Sequence, residues 1–194
     1  VGKSTISVNI ASYFKKYLNI NCILIDTDPQ TSSSSWYDLR DDEYPVVISC
    51  QASRLDSVLA TAQKENVDIV FIDTPGKTES SSLKAAKLSD YCIVPVKPAF
   101  FDLKAAEETL DICRLAKKKA YVLLNEMQPN QSNKNETLKV IQSLNVDYFE
   151  NTIGDRIAFK HAIANGMSVN EYDCNSKAAK EIKKLCDEIA EKLI

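Results

Sequence analysis

The stretch Val1-Gly2-Lys3-Ser4-Thr5, followed by Ile6, Val8, Ile10, Ala11, Phe14 and Leu18 at close to helical period, decides how this chain is read. Gly-Lys-Ser running straight into an amphipathic helix is the trailing half of a phosphate-binding loop, G-x-x-x-x-G-K-[ST]. In such a loop backbone N–H groups cradle phosphate oxygens, the lysine reaches the β- and γ-phosphates, and the next hydroxyl ligates Mg²⁺. The first glycine of the loop is absent, so the strand and glycines that feed it are expected ahead of Val1.

Two later stretches place acids beside that helix. Asn21 to Asp26 (N-C-I-L-I-D) and Asp68 to Asp73 (D-I-V-F-I-D) are short apolar runs ending in carboxylate, the pattern of parallel strands buried on both faces. Each terminal aspartate is followed within three residues by proline. Further strands are read at Pro45 to Cys50, Tyr91 to Val96 and Ala120 to Leu124, with an extended piece near 148–153. Helices are read at 55–63, 81–88, 102–118 with Asp102 as cap, a segment ending near Leu144, 155–165 and 176–193. Thr31 to Ser35 and Asn125 to Asn135 read as polar loops. The alternation predicts an α/β fold: a doubly wound, mostly parallel sheet with helices on both faces, one domain over 1–194, and a ligand crevice at the strands' C-terminal ends.

With 194 residues, 44% hydrophobic and 26% charged, the chain can bury one full core. No run approaches the roughly 20 apolar residues of a membrane-spanning helix, and a cytoplasmic location is expected. The net charge of -3 provides no overall attraction to nucleic acid and leaves only local basic patches. The six cysteines form no C-x-x-C pair and no metal-spaced cluster, which argues for reduced structural thiols and against an iron–sulfur centre. The lone His161 lies in a helical stretch without a catalytic partner nearby in sequence. With only four glycines, each marks a backbone requirement: Gly2 in the loop, Gly76 after a strand, Gly154 opening a helix and Gly166 closing it.

Together, V-G-K-S-T at 1–5, D-T-D-P-Q at 26–30, I-D-T-P-G at 72–76 and I-V-P-V-K-P at 93–98 resemble the ParA/MinD group of P-loop ATPases. The likeness is strongest to small plasmid- and chromosome-partition ParA proteins, and it extends through Asp155-Arg156 and Gly166-Met167-Ser168-Val169. The resemblance implies ATP and Mg²⁺ as cofactors, with Gly2, Lys3, Ser4 and Thr5 on the phosphates and Ser4 also on the metal. It implies that Asp28 holds the attacking water, that Asp26 and Asp73 serve the metal, that Gly76 lies in the loop sensing the γ-phosphate, and that Arg156 flanks the adenine. Such proteins carry a deviant loop whose extra lysine reaches across an ATP-sandwiched homodimer; here it would precede Val1.

The same resemblance implies an ATP-dependent homodimer that binds DNA non-specifically, becomes nucleoid-associated, and is stimulated by a centromere-binding partner. A MinD-like membrane-associated positioning ATPase, an iron–sulfur carrier on the same fold, and a non-enzymatic interaction module are the rival readings. Ala178, Ile182, Leu185, Ile189 and Leu193 recur at helical spacing while Glu181, Asp187, Glu188 and Glu191 dilute the basic side, so the last helix is expected on the sheet and not on lipid. Lys177, Lys180, Lys183 and Lys184 form a candidate phosphate-contacting patch, with Lys117, Lys118 and Lys119 a weaker one.

Overall fold

The computed structural model describes residues 2–76, 79–128 and 134–193, and strand and helix alternate through them. The first half contains α1 (Lys3–Tyr17), β1 (Cys22–Asp26), α2 (Ser32–Asp38), β2 (Val46–Ser49), a 3-10 turn (Ala52–Arg54), α3 (Leu55–Lys64) and β3 (Ile69–Asp73). There follow α4 (Glu79–Leu88), β4 (Tyr91–Val96), α5 (Phe100–Leu115), β5 (Lys119–Leu124), α6 (Lys134–Ser143) and β6 (Asp147–Tyr148). The chain closes with α7 (Ile157–Ala164), α8 (Val169–Tyr172) and α9 (Lys177–Leu193).

All strand pairings are parallel, in the orders β2-β1-β3 and β4-β5-β6. Every residue of β1 is buried, because helices cover both of its faces. Leu24 packs with Val8 and Ala11 of α1 and Trp36 of α2, while Ile23 and Ile25 face Leu55, Ala62 and Ala85. The second sheet repeats the arrangement. Val94, Val122 and Leu124 pack with Leu110 of α5 and Ile141 of α6, whereas Tyr121 and Leu123 pack with Phe14 of α1 and with Ile182 and Leu185 of α9. Full burial of a side chain such as Phe14 contributes about 2–3 kcal/mol.

The one sheet predicted from the alternation is present as two parallel halves bridged by α1. Among the described residues β3 pairs only with β1 and β4 only with β5, so their facing edges border a cleft of about 1380 Å³. Its walls are Ile69 to Ile72 and Cys92 to Val96, with Ile6, Ile10 and Phe14 of α1 on one side. Two open parallel edges with an apolar lining are the surroundings an additional strand requires.

Three local expectations change. The cap of α5 is Ala99, and Asp102 sits in the first turn, where its charge favours the helix dipole. Gly154 opens no helix: it bridges Met127, and α7 begins at Ile157 after Arg156 as its cap. Ser32 to Ser35, read as loop, belong to α2, whose burial of Trp36 outweighs the weak helix propensity of a serine run. Gly166 follows α7 in the left-handed region at φ +64°, as expected of a residue just past a helix end.

Candidate nucleotide site

The site begins at the N-terminus of α1. Gly2 caps the helix at φ 77°, a conformation that favours glycine, and a Cβ there would overlap the Asn125 side chain. The first helical bond runs from the Ile6 N–H to the Gly2 carbonyl at 3.0 Å, so the N–H groups of Lys3, Ser4 and Thr5 lie ahead of the helical ladder. No acidic side chain stands in this first turn, and the helix dipole makes it a favourable place for an anion. Beside it, Lys97 and Glu126 form an ion pair at 2.6 Å. Val1, the first residue of the motif, is outside the described residues.

Loops remote in sequence meet here. The Lys3 ammonium lies 3.5 Å from where a Cβ on Gly76 would stand, an ordinary contact distance, so the lysine reaches the loop after β3. Lys3, Asp73 and Gly76 all line the mouth of the cleft between β3 and β4.

Asp26 and Asp73 stand side by side as register partners and are 0% and 1% exposed, yet their surroundings differ. Asp26 Oδ1 accepts the Asp28 N–H at 3.0 Å, and its Oδ2 accepts the Ser34 N–H at 2.9 Å and the Ser34 hydroxyl at 3.0 Å. Three of roughly four acceptor positions are therefore filled by the protein itself. Asp73 Oδ2 accepts the Ser33 hydroxyl at 2.8 Å, but its Oδ1 is buried without a hydrogen-bond partner. Burial pushes the Asp73 carboxyl above its ordinary pKa, with Asp26 adding to the rise, while the Ser4 and Ser33 hydroxyls and the Lys3 ammonium oppose it.

A buried, unpartnered carboxylate oxygen near a helix-terminal hydroxyl suits a hard cation that keeps water and phosphate among its ligands. Ser4 and Asp73, two of the three residues that the family resemblance assigns to the metal, therefore fit Mg²⁺. Among the described residues no group of three or more His, Cys, Asp or Glu side chains could hold a metal alone, so these two would share the ion with nucleotide phosphates. Asp26 has fewer lone pairs to offer and instead holds the loop that carries Asp28. Asp28 is half-buried; its Oδ1 accepts the Gln30 N–H at 2.9 Å and its carbonyl the Thr31 N–H at 2.8 Å.

Arg156 stands apart from this group. Its guanidinium pairs with Glu181 of α9 at 2.8 Å, and Glu181 also accepts the Gly154 N–H at 3.0 Å. Sequence reading missed Ser33 and Ser34, which only the helical winding of 32–38 brings to the strand ends. It also missed Asn9, 0% exposed, which donates to the Thr5 carbonyl at 2.7 Å and accepts the Val169 N–H at 2.8 Å. The available signal was a polar residue on the apolar face of α1.

Comparison with known proteins agrees with this fold. Maintenance of carboxysome distribution protein A of Halothiobacillus neapolitanus is 27% identical over 97% of this chain and 90% of its own length. The MinD cell division protein of Aquifex aeolicus superposes with a TM-score of 0.80 at 15% identity, over 100% of this chain and 93% of that one. A putative plasmid partition protein from Borrelia burgdorferi bound to AMPPNP gives a TM-score of 0.71 at 18% identity, over 99% and 94% of the two chains. The family profile described as the CobQ/CobB/MinD/ParA nucleotide binding domain matches residues 1–169, and this chain belongs to that family.

Proposed function

We propose that this chain is a ParA-type ATPase that binds ATP·Mg²⁺ at the start of α1, dimerises on ATP, associates non-specifically with DNA and is released after hydrolysis. The observation that carries the nucleotide reading is the unpartnered Oδ1 of Asp73 near Ser4, at a helix N-terminus supplied with Lys3 and no competing acid. Bound Mg²⁺ would neutralise charge on the phosphates; the chain's own part is positioning. Lys3 and the first-turn N–H groups, with Thr5 at the α-phosphate, orient the nucleotide, and Gly76 lies beside the Lys3 ammonium. Asp28 orients the water whose oxygen bonds to the γ-phosphorus as the bond to the β-phosphate oxygen breaks. The Asp26 carboxylate holds that loop in place.

Helix α9 supports DNA as its partner over lipid on its own exposed face. Ala178, Ala179, Ile182, Leu185, Cys186 and Ile189 of α9 are all buried, leaving no free apolar stripe for lipid. No helix among the described residues is long and apolar enough to cross a membrane. Glu181 and Glu188, which dilute the basic side in the sequence, are occupied by Arg156 and by the N–H groups of Glu150 and Asn151. Lys177, Lys180, Lys183 and Lys184 are exposed on the same helix. A partner protein at a centromere, a homodimeric active form and a cytoplasmic, nucleoid-bound location belong to this reading. The similarity to a carboxysome distribution protein leaves a protein body as the alternative cargo.

The test is co-sedimentation with DNA and, separately, with anionic vesicles, with ATP·Mg²⁺ or ADP and at low and high salt. ATP-dependent, salt-sensitive binding to DNA is expected; binding to vesicles alone would replace this reading with the MinD-like one. Asp28→Ala is expected to retain nucleotide and accumulate the ATP-bound dimer, and normal turnover in that variant would remove Asp28 from its role.

A further inference from the structure

The first turn of α2 stands directly over the two acidic strand ends. Ser33, 0% exposed, donates its hydroxyl to Asp73 Oδ2 at 2.8 Å, and the next residue, Ser34, clasps Asp26 Oδ2 through both its N–H and its hydroxyl. Successive helix positions are about 100° apart, so adjacent serines can address neighbouring strands. The consequence differs at the two acids. Asp26 has both oxygens engaged, whereas Asp73 has one oxygen tied to Ser33 and the other buried and open.

A carboxylate at the end of a strand can turn about its last torsion with little resistance, because that torsion is broad and roughly two-fold. With one oxygen tethered, the carboxylate plane is defined and the other oxygen has a fixed direction. We propose that Ser33 is the positioning residue of the metal site, holding Asp73 by Oδ2 so that Oδ1 is presented singly to the magnesium ion. The proposal rests on the nucleotide–magnesium reading above and adds to it the residue that orients its acidic ligand. α2 is itself anchored at its far end, where Trp36 donates to the Met167 carbonyl at 3.1 Å and the Arg40 guanidinium lies 4.5 Å over the Trp36 ring. Ser33 therefore acts from a helix fixed at both ends and not from a mobile loop.

Hydrogen-bond partners of metal-ligating groups commonly contribute 10–100-fold to metal affinity, so removal of this hydroxyl has a measurable cost. Mn²⁺ serves as the probe, its free and bound forms read by electron paramagnetic resonance, first alone and then with ADP, on the full chain. Trp36, the only tryptophan in the sequence and 2% exposed, reports the placement of α2 through its emission. Ser33→Ala, and Ser33→Cys which keeps the volume but loses the strong donor, are expected to weaken Mn²⁺ binding by about 10–100-fold, with the Trp36 emission maximum unchanged. Ser33→Thr, which keeps the hydroxyl, is expected to bind Mn²⁺ more tightly than either.

Mn²⁺ binding within about twofold of wild type in both the Ala and Cys variants would overturn the proposal. So would a parallel red shift of Trp36 emission in both, since the loss would then follow from displacement of α2. Absence of any tightening of Mn²⁺ binding by ADP in the wild-type chain would instead count against the nucleotide reading; the comparison among Ser33 variants is made on the ADP-bound chain, where phosphate completes the metal's ligands.

Discussion

Asp26 and Asp73 occupy the same rung at the ends of β1 and β3, and the protein satisfies both oxygens of the first while leaving one oxygen of the second without a partner. Two carboxylates of the same type at neighbouring positions therefore do different work. Asp26 organises the loop, and Asp73 remains available to a cation.

Asparagine substitutions separate the two roles. Asp26→Asn places an amide donor against a donor of the loop and is expected to cost about 1–3 kcal/mol of stability. Asp73→Asn removes a buried charge and is expected to leave the urea midpoint unchanged or raised. The same change abolishes the magnesium-dependent part of nucleotide binding, a loss of at least tenfold. Urea melts and calorimetric titrations with and without Mg²⁺ measure both.

Lys3→Ala is expected to weaken nucleotide binding by about 10–100-fold, since a charge-assisted hydrogen bond is worth roughly 1.5–3 kcal/mol. Lys3 is only half-buried, so the thermal midpoint should not move. Gly76→Val should reproduce part of the loss, because a Cβ there stands 3.5 Å from the Lys3 ammonium and a branched side chain would crowd it.

Gly166→Ala is expected to destabilise the fold by about 2–3 kcal/mol. Gly166 sits at φ +64°, and a Cβ would run into the Leu39 carbonyl at the end of α2. Its own carbonyl accepts Arg40 Nη1 at 2.9 Å, so α2 cannot move aside without losing that bond. Chemical denaturation monitored by Trp36 emission gives the value.

Glu171 should give the chain an acid limit of stability. Burial alone would raise its pKa, but a bidentate pair with Arg40 at 2.9 and 3.0 Å and the Ser168 N–H at 2.7 Å outweigh that, lowering it to about 2. A folded-state pKa below the unfolded value of about 4.5 contributes stability that is complete above the unfolded pKa and is lost as pH falls toward 2. Glu171→Gln should flatten the stability profile across that window. At pH 7 it should cost on the order of 2–4 kcal/mol, because the Arg40 side chain, 2% exposed, keeps as counter-charge only the longer, exposed contact to Asp42 at 3.8 Å. Urea midpoints between pH 7 and 2.5 test this.

The strand–helix alternation and the parallel sheet were legible because buried parallel strands are continuous apolar runs, as in Cys22 to Asp26, and the covering helices carry a clear period. The nucleotide loop was legible too: Gly2-Lys3-Ser4 is local, and its chemistry lies in backbone groups that any helix start exposes. What a single line of residues could not decide is which acid is free. That depends on Ser33 and Ser34, which look like a solvated polar run until burial of Trp36 winds them into a helix over β1 and β3. Nor could it decide the commitment of Arg156 to Glu181, 25 residues away. Patterns within a strand or helix are set by neighbours a few residues apart, whereas the direction of a carboxylate oxygen is set by whichever donor the packing brings to it from elsewhere in the chain.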